Sequence, residues 1–176
     1  MDALEELLGI AQIAVGMAGF AGVAAAILLE RSFQRDDQLR FLALFFSTIA
    51  VVLLSFLPLL LVRGGVQGEA LWRWASVGFL VVSVATFPLG LTLAREAKTF
   101  EKIPPRWAFL SLWGLFAIAP VFQLANVLGL LGGAGSLLYL IGLLAWLGAG
   151  AVLFVIIVLL RSPDPGGARP SRDEPV

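Results

Sequence analysis

Hydrophobic positions in this chain neither alternate nor fall on a single helical stripe; they run on in five long blocks separated by short polar breaks. A helix rising about 1.5 Å per residue needs about 20 apolar residues to cross roughly 30 Å of hydrocarbon. The blocks Leu7–Leu29, Phe41–Val62, Leu71–Ala94, Trp107–Leu128 and Leu137–Leu160 all reach that length, and none carries Asp, Glu or Lys in its interior. The pattern predicts an all-α, polytopic transmembrane bundle of five helices. Residues 1–161 are expected to form this domain, and the Pro-, Gly- and charge-rich residues 162–176 a disordered cytoplasmic tail.

The breaks differ in chemistry. Residues 30–40 (ERSFQRDDQLR) form a short charged loop, residues 63–70 (RGGVQGEA) a Gly-rich turn, and residues 95–106 a charged segment ending in Pro104-Pro105-Arg106. The last two spans meet at Gly132–Ser136 (GGAGS), whose glycines suit a tight turn. That break has no charge, so a four-span alternative, with the last two blocks as a re-entrant hairpin, competes with five. Counting Lys and Arg decides between them. With five spans, Arg31, Arg35, Arg40, Arg95, Lys98, Lys102, Arg106, Arg161, Arg169 and Arg172 share one side, and only Arg63 and Arg73 the other. Merging the last two spans would divide the basic residues almost evenly. The bias predicts five spans, with the amino terminus outside and the carboxyl terminus in the cytoplasm. The first span follows an acidic start, Asp2, Glu5 and Glu6, not the basic one of a cleaved signal, and is read as a retained helix.

Composition sharpens this picture. The chain is 60% hydrophobic and 14% charged, with a mean hydropathy of +0.97, whereas a soluble domain carries about 25% charged residues. The net charge is zero, which gives no basic surface for nucleic acid. Cysteine and histidine are both absent, which removes thiolate chemistry, imidazole metal and haem ligation, and Ser-His catalysis. No catalytic, metal-binding or cofactor-binding residues are expected. Arg outnumbers Lys ten to two, a usage common in high-GC bacterial chains, so the expected location is a bacterial inner membrane.

Two groups of residues stand out. Ala14, Ala18, Gly22 and Ala26 recur at i, i+4, with Gly16 and Gly19 beside them; small residues let helix backbones approach closely where lipid supplies no hydrophobic drive. This face is expected to pack on the chain's own spans, or on a second copy or another membrane protein. Span 5 offers a similar surface at Gly142, Ala145, Gly148 and Ala149. The second group is polar. Under the charge-derived topology, Gln12, Arg73, Ser76, Gln123, Asn126 and Tyr139 share one depth in the outer leaflet. Carboxamides there need hydrogen-bond partners inside the bundle, so Gln12, Gln123 and Asn126 are expected to converge. Interhelical glue is the first reading and a small polar pocket the second. Pro58, Pro88 and Pro120 lie inside spans and each removes a backbone donor.

Function follows only coarsely. The chain is read as a small multi-pass, non-catalytic accessory or interaction protein acting through helix packing. A transporter or channel for a small neutral or lipophilic solute is the alternative, weakened by the absence of a mid-span ionisable residue. Its expected partners are the lipid bilayer and itself or another membrane protein.

Overall fold

The computed structural model describes residues 3–29, 35–96 and 106–159. They form five helices in chain order: α1 (Ala3–Leu29), α2 (Arg35–Arg63), α3 (Glu69–Glu96), α4 (Arg106–Val127) and α5 (Gly135–Leu159). All five contain segments long and apolar enough to cross a membrane. Both final blocks are helices of crossing length, as the five-span reading expects and a short re-entrant hairpin does not. The expected tail, residues 30–34 of the first loop and most of the third, with Pro104-Pro105, lie outside the described residues; residues 35–40, expected as the rest of the first loop, instead form the start of α2.

Both described turns are set by glycine. α2 ends with Gly65 at φ 86°, where its N–H reaches the Val62 carbonyl and the Val66 N–H reaches Leu61. α4 ends the same way: Gly129 at φ 67° donates to Asn126 and Leu130 donates to Ala125. This paired arrangement satisfies last-turn carbonyls that the helix leaves open, and its left-handed residue favours glycine. The second turn therefore begins at Leu128, earlier than the GGAGS motif suggests, and Gly135 already belongs to α5.

α5 is the central helix. It touches each of the other four, which follow one another around it as α1–α2, α2–α3 and α3–α4; among the described residues α1 meets neither α3 nor α4. Accordingly 56% of the α5 span is buried, against at most 28% for any other. The small residues expected as a surface on span 5 are spent on this position. Gly142, Ala145 and Ala149 are buried, and a side chain on Gly142 would collide with the Gln123 amide of α4. The core runs through Leu7, Ala14, Val51, Phe79, Leu143 and Trp146. Outside it, large apolar side chains such as Phe20, Leu53, Val84, Leu110 and Leu144 stand exposed. Apolar exposure on all sides of the bundle suits lipid and would be costly in water. The chain has the architecture of a multi-pass membrane protein.

The packed face of α1 differs from the expected one. Leu7, Ile10, Ala11, Ala14 and Ala21 are buried, with Met17 against the core. Ala18 is half-buried, Gly22 is exposed with nothing within 4 Å of where a side chain would begin, and the Ala26 side chain lies outside the described residues. The reason is rotational. A helix turns about 100° per residue, so each i+4 step overshoots one turn by about 40°. A strict run of four such positions drifts off any one face, and Gly22 has rotated out of the contact that Ala14 makes.

Candidate functional site

Three polar residues inside the bundle, Ser76, Gln123 and Asn126, are joined in one chain of hydrogen bonds near the end where α3 and α5 begin and α4 ends. Asn126 Nδ2 donates to Ser76 Oγ (2.8 Å), Ser76 Oγ donates to Gln123 Oε1 (2.7 Å), and Gln123 Nε2 donates to the Leu138 carbonyl (3.1 Å). Asn126 Nδ2 also faces the Gly135 and Trp72 carbonyls at 3.0 and 3.4 Å. Ser76 and Gln123 are fully buried. Residues of α3 and α4 are thus tied to the first turn of α5, where the backbone carbonyls of Gly135, Leu138 and Tyr139 are presented together. In hydrocarbon each such bond removes the cost of an unpaired polar group.

Tyr139 extends the tie to α2. Its hydroxyl donates to the Leu54 carbonyl at 2.6 Å. In an unbroken helix that carbonyl would receive the N–H four residues on, but the residue there is Pro58, which has none. The tyrosine hydroxyl replaces the missing donor, while its ring packs against Trp72 and Phe79 with centroids 5.9 and 6.0 Å apart. This pairing of a buried tyrosine with a proline on another helix was not legible in the sequence. Each residue was visible singly, but nothing in the sequence set them opposite one another.

Gln12 does not join this group. It is exposed on α1, and α1 makes no contact with α3 or α4 among the described residues. The expected convergence of Gln12 with Gln123 and Asn126 is therefore corrected. Its depth along the helix suited the cluster, but its direction is away from the bundle, almost opposite Ala14. Arg73 sits at the rim, half-exposed, paired with Glu69 one turn earlier at 3.4 Å.

Beside this rim lies a cavity of about 200 Å³, lined among others by Glu69, Trp72, Arg73, Asn126, Gly129 and Gly132. Several hydroxyls elsewhere in the spans donate to carbonyls of their own helices: Ser47 to Leu44, Thr48 to Leu44, Ser55 to Val51 and Ser83 to Phe79. Among the described residues, Trp146 Nε1 is a buried side-chain donor without an acceptor; it lies between the rings of Phe79 and Phe116, with centroids 5.0 and 6.2 Å away. No three Asp or Glu side chains among the described residues gather as a metal site. No family model, curated protein or solved structure matches the chain.

Proposed function

We propose that this is a non-catalytic subunit of a bacterial inner membrane that acts through helix–helix contact, with the outer face of α1 as its docking surface. The observation that carries the reading is the seam Gly9, Gln12, Gly16, Gly19. These positions fall within about 80° of one another around the helix, opposite the packed face. Gln12, Gly16 and Gly19 are exposed or half-exposed, and nothing lies within 4 Å of where a side chain on any of the three glycines would begin. Their spacing of three and four residues is that of a helix-packing seam. Glycines there admit close backbone approach, and a carboxamide facing lipid gains by finding a partner.

A second copy is the simplest occupant. An amide is both donor and acceptor, so two Gln12 side chains pair reciprocally across a two-fold axis. The non-catalytic part of the reading is supported by Ser47, Ser55 and Ser83, whose hydroxyls donate to backbone carbonyls of their own helices and so are not held by a general base. The basic residues support an orientation with the amino terminus outside. Single cysteines at Gly65 and Gly133 should then be labelled from outside and cysteines at Arg35 and Arg106 from the cytoplasm; the reverse pattern would overturn the orientation.

The docking face is tested by counting subunits in membranes. Single-molecule photobleaching should give two steps for the parent chain and one for Gly16→Leu, whose side chain blocks the seam without entering the core. Single-step bleaching of the parent chain would sink the self-association reading. Two-step bleaching of both would move the interface off α1.

A further inference from the structure

We propose that the cavity beside Arg73 holds the zwitterionic headgroup of a bilayer phospholipid, a phosphate joined to a primary ammonium as in phosphatidylethanolamine. Asn126 is 5% exposed, and its Nδ2 is committed to the Gly135 and Trp72 carbonyls and Ser76 Oγ. Two of these are backbone carbonyls, which only a donor satisfies, so the amide cannot be turned over. Its Oδ1 is thereby fixed as an acceptor and makes no hydrogen bond among the described residues, and Asn126 lines the cavity. On the same wall stand a guanidinium and a carboxylate, Arg73 and Glu69, side chains 51% and 66% exposed.

The wall therefore offers one cationic fork and two acceptors. Its net charge is zero. A simple anion would satisfy Arg73 but be repelled by Glu69 and leave Asn126 Oδ1 bare. A group carrying an anionic oxygen and an ammonium satisfies all three: phosphate on the Arg73 fork, ammonium on Glu69 and Asn126. Glycine makes the room. Gly129 lets the guanidinium lie against the turn, because a side chain there would begin 2.9 Å from Arg73 Nη2, and Gly132 and Gly133 add no bulk.

Position and size favour a lipid over a free solute. The cavity lies where the spans of α3 and α5 begin and that of α4 ends, the level of the headgroups. Trp74, Leu128, Leu130 and Leu131 stand exposed on neighbouring positions, ready for acyl chains. At about 200 Å³ it is smaller than the roughly 300–1,000 Å³ of a typical small-molecule pocket. This site is separate from the α1 seam, and neither proposal depends on the other.

The test is native mass spectrometry of the full chain, delipidated in detergent and offered equal amounts of phosphatidylethanolamine, phosphatidylglycerol and phosphatidylcholine with identical acyl chains. Preferential retention of phosphatidylethanolamine is expected. Arg73→Gln should reduce it about tenfold, the scale of one charge-assisted hydrogen bond. Gly132→Leu, whose side chain begins with nothing within 4 Å, should fill the mouth and abolish the preference with lipid-free thermal stability unchanged. Equal retention of phosphatidylglycerol would overturn the zwitterion assignment. Retention indifferent to both substitutions would overturn the site. Stabilisation by soluble O-phosphoethanolamine or serine with no lipid preference would overturn the lipid source.

Discussion

Leu54, Pro58 and Tyr139 show how a defect on one helix becomes a tie between two. Pro58 leaves the Leu54 carbonyl without its helical donor, and Tyr139 supplies one from α5. Tyr139→Phe should therefore lower stability by about 1–2 kcal/mol, the upper range for a hydrogen bond between membrane helices. In a Pro58→Ala background, where a restored backbone N–H at position 58 reaches the Leu54 carbonyl, the same change should cost close to nothing. Equal losses in the two backgrounds, by reversible detergent unfolding, would show the bond to be incidental. Much of this residue scale was readable beforehand. Ser76, Gln123, Asn126 and Tyr139 share a depth that hydropathy and charge reveal. Direction around the helix was not readable, and Gln12 went astray for that reason. In lipid both faces of a helix are apolar, so hydrophobicity no longer marks the inward side.

At the scale of the helix, existence and length were legible because a span of hydrocarbon sets both. Partner faces were not. The i+4 row Ala14, Ala18, Gly22, Ala26 was a reasonable candidate, yet a straight helix carries such a row away from its neighbour, and the face used steps by threes and fours instead. The difference is measurable. Ala14→Leu places bulk in the fully buried junction of α1 with the core and should cost about 1–3 kcal/mol. Gly22→Leu projects outward and should stay within about 0.5 kcal/mol of the parent chain. Thermal unfolding of both in one detergent decides the matter; equal losses, or a larger one for Gly22→Leu, would put the packed face where the i+4 row lies. α5 also differs from the expectation, since its small residues serve as the axle of this bundle and are not free for a partner.

For the whole molecule, the order of helices around α5 was beyond reach from the sequence, because five spans of similar hydropathy pack in many orders. Once the order is known, the distribution of polarity becomes informative. Among the described residues the hydrogen-bond network joins α2 through α5 and leaves α1 out. α1 is held by apolar packing on α2 and α5 and turns its glycines and Gln12 away from the bundle. That division between a bonded four-helix body and a helix with a second, unoccupied seam is the basis for reading the protein as an interaction subunit. Because the chain has no cysteine, the reading can be tested in native membranes without a background to remove. Single cysteines at Gly16 and at Leu144, on the exposed side of α5, should behave differently under mild oxidation. The account predicts an intermolecular disulfide at position 16 and none at position 144. Cross-linking at 144 with none at 16 would contradict it.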